Sequence, residues 1–230
     1  MHSTYLLVDI AALIVPLLFS FHPKIKFYKE LKYFFPACLA VAGIFLTWDY
    51  FFTKHQVWGF NKDYVSGIYV NILPVEEILF FICIPYACVF TYHCFKVLYP
   101  AKTTFKNERI VSPVLVLGLI LAGIVFIDKA YTASAFLSCG IIILLLQFVF
   151  KVKWLGRFYF TYLFLLLPFF VVNGILTGSG LDAPVVWYDN TENLGIRLLT
   201  VPFEDIFYGM LLVLCNIACM EYLKGNNLNS

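Results

Sequence analysis

Charge is what this chain has least of. Only 13% of its 230 residues are Asp, Glu, Lys or Arg, against roughly 25% in an ordinary soluble domain. The net charge of +2 gives no basis for a nucleic-acid partner, which needs a dense basic face. Other chemistry-bearing patterns are missing as well. The seven cysteines, Cys38, Cys83, Cys88, Cys94, Cys139, Cys215 and Cys219, form neither a CxxC pair nor a zinc-ligand spacing, so they read as reduced packing residues. His2, His22, His55 and His93 offer no facing pair for a haem. No GxGxxG follows a strand, and Gly174, Gly178 and Gly180 close a helix, which removes support for flavin and nicotinamide sites. There is no aspartate-rich magnesium motif for prenyl transfer. The last apolar run contains no lysine for a retinal Schiff base, since Lys224 lies at its edge. No metal and no cofactor is expected.

What the chain does have is apolar length. It is 62% hydrophobic, which places it in the membrane class with no soluble domain left over. Runs long enough to span, about 20 residues at ~1.5 Å each, lie near 4–21, 33–52, 69–95, 110–127, 131–150, 158–177 and 197–223. The first lacks a basic segment before it and a cleavage site after it, so it reads as a retained span rather than a leader. Its Asp9 is either a functional acid or, as a single acid near the outer end, one that reaches headgroup water, and the second is expected. The loops after runs one, three, five and seven collect Lys24, Lys26, Lys29, Lys32, Lys96, Lys102, Lys106, Arg109, Lys151, Lys153, Arg157 and Lys224, whereas the other side holds Lys54, Lys62, Lys129 and Arg197. This bias puts the N-terminus outside and the C-terminus in the cytoplasm.

One stretch occurs twice. Shifted by 128 residues, Gly67-Ile68, Pro74, Glu76 and Ile78 fall on Gly195-Ile196, Pro202, Glu204 and Ile206, and Glu77 falls on Asp205. Carboxylates at membrane depth cost roughly 2.5 to 3.5 kcal/mol each, so a duplicated pair points to function. The offset carries runs one to three onto five to seven and leaves run four as a reversing linker. The expected architecture is all-α and integral to the membrane: seven helices as two parallel three-helix repeats, 1–100 and 130–230, joined by a linker helix in 101–129 (3+1+3). Trp58-Gly59-Phe60-Asn61 is echoed by Trp187-Tyr188-Asp189-Asn190, as either an interfacial aromatic belt or a lid over a shared pocket.

After Pro74 and Pro202, which start or bend their helices, adjacent acids sit about 100° apart, so one can face the bundle interior. Phe80 follows Glu76 on one stripe and Tyr208 follows Glu204, which suits a greasy substrate. A carboxylic acid kept neutral in an apolar pocket can protonate an isolated C=C bond. The resulting carbocation needs a dry site, π faces and a final base. Paired acids among aromatic residues supply these.

The runs Trp58-Gly59-Phe60-Asn61, Leu73-Pro74-Val75-Glu76-Glu77-Ile78-Leu79-Phe80-Phe81 with Pro85-Tyr86, Asn173-Gly174-Ile175-Leu176-Thr177-Gly178, and Val201-Pro202-Phe203-Glu204-Asp205 with Tyr208 resemble the membrane-embedded lycopene cyclases. In that family two three-span subunits occur separately in some bacteria and fused in others, and this chain is similar to the fused form over nearly all of its length. The resemblance implies a bacterial plasma-membrane enzyme of carotenoid biosynthesis. Its lipophilic substrate is lycopene, met in membrane lipid, whose acyclic ψ ends close to β-ionone rings without net redox change. It carries the catalytic role onto Glu76, Glu77, Glu204 and Asp205. Asp49 and Asn173 match further polar positions, where they either bond backbone freed by the proline or touch the reacting end. Trp58, Asn61, Phe80, Trp187, Asn190 and Tyr208 complete the expected substrate-binding set. Phe203 departs from the smaller aliphatic residues common at that position. The rival reading is a proton-coupled transporter of a small solute, also built 3+1+3. The Pro-Gln dipeptide that marks sugar transporters of that design is absent.

Overall fold

The apolar runs fold as helices wherever nothing interrupts them. In order, α1 spans Thr4–Phe19, α2 Leu31–Lys54, α3 Val75–Leu98, α4 Glu108–Val125, α5 Ala130–Leu144, α6 Leu155–Leu176 and α7 Phe203–Leu223. This computed structural model describes residues 3–99 and 108–225. His2, Lys102, Lys106 and the expected unit boundary at 100/101 lie outside the described residues. Helices α2 to α7 are long and apolar enough to cross a membrane, α5 when continued through the π-helical turn Leu145–Val149. At 16 residues α1 covers about 24 Å, somewhat short of a ~30 Å hydrocarbon layer. Leu18, Ile44, Ile110, Val125 and Leu167 are among many apolar side chains exposed on the bundle, the surface expected of a protein solvated by lipid.

Two helices begin later than their apolar runs. The residues before α3 and α7 form hairpins instead: β2 (Tyr69–Val70) pairs with β3 (Leu73–Pro74), and β5 (Arg197–Leu198) with β6 (Val201–Pro202). Proline supplies no N–H and disfavours helix in the residue before it. Pro74 and Pro202 are accordingly extended, at φ −65°, ψ 149° and φ −54°, ψ 142°. Asn71 and Leu199 make the turns at φ 60° and 59°. The prolines therefore start their helices, which leaves both acid pairs in a first helical turn.

Helix α1 packs along α3, α5 along α7, and α2 against both α3 and α7, while α4 lies on α5. The loops after α2 and α6 meet at one end of the bundle. There β1 (Trp58–Phe60) pairs antiparallel with β4 (Val186–Tyr188), setting Trp58 opposite Tyr188 and Gly59 opposite Trp187. Ion pairs tie the other end together: Lys96 to Glu221 at 2.7 Å, and Lys224 to Glu30 at 2.5 Å. The turn after α1 folds back beneath the bundle there, because Phe27 is fully buried against Phe34, Tyr86 and Phe90.

Candidate active site

Adjacent helical residues point about 100° apart, and the two acids of each pair meet different partners. Glu76 is fully buried and its Oε1 accepts the Ser66 backbone N–H at 2.7 Å. Glu204, equally buried, accepts the Leu194 N–H at 2.8 Å and the Thr132 hydroxyl at 2.6 Å. Ser66 and Leu194 are 128 residues apart, so the repeat extends to these bonds. The first acid of each pair accepts a loop N–H and thereby pins the loop to its helix.

The second acids, Glu77 and Asp205, both line one cavity of about 250 Å³ between α1, α3, α6 and α7. Tyr5 on α1 donates a hydrogen bond to Glu77 Oε2. Tyr131 on α5 donates to Asp205 Oδ1, and Tyr188 on β4 donates to Asp205 Oδ2 at 3.1 Å. Burial first, then the neighbouring Asp205 carboxylate, pushes the Tyr188 hydroxyl well above the usual phenol range, so it stays a donor at neutral pH. Asp205 thus receives a tyrosyl hydroxyl on each oxygen, and Glu77 receives one.

The paired strands close the cavity over the acids. Side chains alternate along a strand, and accordingly Trp58, Phe60, Val186 and Tyr188 line the cavity whereas Gly59 and Trp187 do not. The Trp187 indole lies over Gly59 so closely that a Cβ there would sit 2.4 Å from it. Of the two echoed tryptophans, then, Trp58 faces the pocket and Trp187 is 40% exposed on the outer face. The echo in sequence aligns Trp58 with Trp187, but the ladder sets Trp58 against Tyr188. A slip of one residue turns a side chain to the opposite face.

Phe80, Asn173 and Tyr208 line the cavity. Asn173 also donates to the Phe169 carbonyl at 3.2 Å. Tyr208 stands edge-on to Phe45, Trp48 and Trp58. Asp49 is buried and accepts the Trp58 indole N–H, which orients that ring, but it does not itself line the cavity. Asn61 and Asn190 are loop residues away from it: Asn61 accepts the Asp63 N–H at 3.0 Å, and Asn190 accepts from Arg197 at 3.0 Å. Asp9, expected in headgroup water, is fully buried, and neither of its carboxyl oxygens has a partner among the described residues. It lies one turn from Tyr5, on the face of α1 that packs against α3.

The three tyrosines are the site residues that motif reading missed. Tyr5 and Tyr131 play equivalent parts but stand 126 residues apart, not 128, so aligning the halves at one fixed offset hides the pair. Tyr188 lay inside the echoed loop run, concealed by the one-residue slip.

The arrangement can deliver a proton to, and take one from, an apolar ligand held in a greasy pocket closed at the acid end. A lycopene cyclase family model matches residues 2–95 and again 128–223. The repeat seen in the acid pairs is thus a repeat of the family unit. No curated protein and no solved structure matches the chain. Two family matches covering most of the chain, each containing one of the acid-bearing turns that converge on the cavity, establish that this integral membrane protein belongs to the lycopene cyclase family.

Proposed function

We propose that the protein closes the ψ ends of lycopene to β-ionone rings, as an intramolecular lyase of the isomerase type, using Glu77 as acid and Asp205 as base. Glu77 gives its proton to C2 of the ψ end, leaving a cation at C1. The C5=C6 double bond then attacks, forming the C1–C6 bond and moving the cation to C5. Asp205 removes the C6 proton, and the C5=C6 bond re-forms. One proton enters and one leaves, with no change in oxidation state.

The assignment of roles follows from the hydrogen bonds. Donors to a carboxylate favour its ionised form, and Asp205 has two tyrosyl donors against one at Glu77. Trp58, Phe80 and Tyr208 offer π faces to the cation. Glu76 and Glu204 act as positioning residues that hold the two acid-bearing turns.

The observation that carries this reading is the convergence of Glu77 and Asp205, one from each family match, on one apolar cavity. It also supports two like-oriented three-helix units, 1–100 and 130–230, joined by a linker helix in 101–129. The strand pair between the loops after α2 and α6 supports the same arrangement. With seven spans, the lysine-rich end is cytoplasmic and the acids lie toward the outer leaflet.

The test is expression in a lycopene-accumulating bacterial host grown in heavy water. Conversion to a product of altered chromatographic mobility carrying deuterium at C2 of each ring is expected. Unaltered lycopene, or a cyclised product without that deuterium, overturns the proposal.

A further inference from the structure

We infer that the cavity admits one end of the substrate at a time, so that each visit to the enzyme closes one ring. This rests on the cyclase reading above. Along α3 the lining positions Glu77, Ile84, Ala87 and Thr91 descend a single stripe. At about 1.5 Å per residue, Glu77 and Thr91 stand roughly 21 Å apart. The cavity is thus a shaft running along the bundle with both acids at one end. An extended covalent chain advances roughly 1.2 Å per main-chain atom, so the shaft takes about 17 carbons, close to half the ~32 carbons of the lycopene main chain.

In the other half, rings stand at two of the matching positions. Shifted by 128 residues, the lining residues Asn173 and Leu176 of α6 fall on Phe45 and Trp48 of α2. Those two rings each pack on Tyr208 at 5.2 Å, and Phe45 packs on Phe81 at 5.9 Å. The outer half of the substrate leaves between α1 and α6, which touch only sparsely. Ala12 and Pro16 on one side, and Phe169 and Val172 on the other, line the cavity and are half-buried. Small residues keep the bore open: a Cβ at Gly209 would stand 3.1 Å from the Phe169 ring. A ψ end lying in lipid can reach Glu77 only if the molecule leaves and re-enters reversed.

The test uses membranes holding the full chain. They receive ¹³C-lycopene and, at the start of turnover, a tenfold excess of unlabelled monocyclic carotenoid over that lycopene. Labelled bicyclic product is expected only after a lag, at about a tenth of its share without the added carotenoid. A product that stays monocyclic agrees equally. Undiluted labelled bicyclic product from the first turnovers overturns the inference while leaving the cyclase reading intact, whereas absence of any ring closure overturns both. As a second measurement, an acyclic ψ-ended polyene cut to about half length is expected to react with kcat/KM within about threefold of lycopene. A loss of tenfold or more means the outer half is also bound, and refutes the shaft.

Discussion

Replacing Tyr131 by phenylalanine removes one oxygen beside Asp205 and leaves the ring packed on Trp58 at 5.1 Å and on Tyr188 at 5.8 Å. The change therefore isolates the hydrogen bond to Asp205 Oδ1. A hydrogen bond to a charged group contributes about 1.5–3 kcal/mol. Each 1.36 kcal/mol is tenfold in rate, so kcat/KM should fall about 10- to 150-fold if ionised Asp205 is the base. Tyr188→Phe removes the longer, 3.1 Å bond to Oδ2 and should fall near the lower end of that range. The assay is initial-rate conversion of lycopene by membranes matched for protein content, with products separated by chromatography. Tyr131→Phe at more than a third of the wild-type rate refutes the idea that this bond stabilises the working charge.

Three further outcomes separate positioning from chemistry. Glu76→Gln keeps a carbonyl acceptor for the Ser66 N–H and should cost less than about tenfold in turnover, well below the ~10²–10⁴-fold loss typical of removing an acid or base. Thr132→Val takes a hydroxyl from Glu204, whose Oε2 already lacks a partner among the described residues. It should lower stability by about 1–3 kcal/mol, read as a drop in Tm, with turnover per folded molecule nearly unchanged. Gly59→Ala forces a Cβ against Trp187 and should cost about 1–3 kcal/mol by overpacking. Trp187→Ala should restore most of that in a double-mutant cycle.

Much of the bundle is readable from the chain because hydrocarbon-length apolar runs admit few folds other than helices. The later starts of α3 and α7 are less visible, since Ile68 to Leu73 and Ile196 to Val201 are apolar enough to pass for helix. What decides there is backbone chemistry at Pro74 and Pro202, together with turns at Asn71 and Leu199. The acid pairs are legible as a repeat, but which member of each faces the cavity is not. Helical spacing separates neighbours by about 100° without fixing the zero of rotation. That zero is set by loop N–H groups at Ser66 and Leu194, which claim Glu76 and Glu204. Trp58 and Trp187 look equivalent until the β1–β4 register puts them on opposite faces. Asp9 looked like an outer-end residue because composition says nothing of which side of α1 meets α3.

Measuring Glu77→Gln and Asp205→Asn separately, in lycopene-accumulating cells with equal membrane amounts of each protein, bears most directly on the shared site. Each variant alone should leave lycopene uncyclised, with rates at least ~10²-fold below wild type, if, as proposed, the acid and the base come from different halves of the chain and act on one molecule. Ring closure at an undiminished rate in either variant would contradict that account.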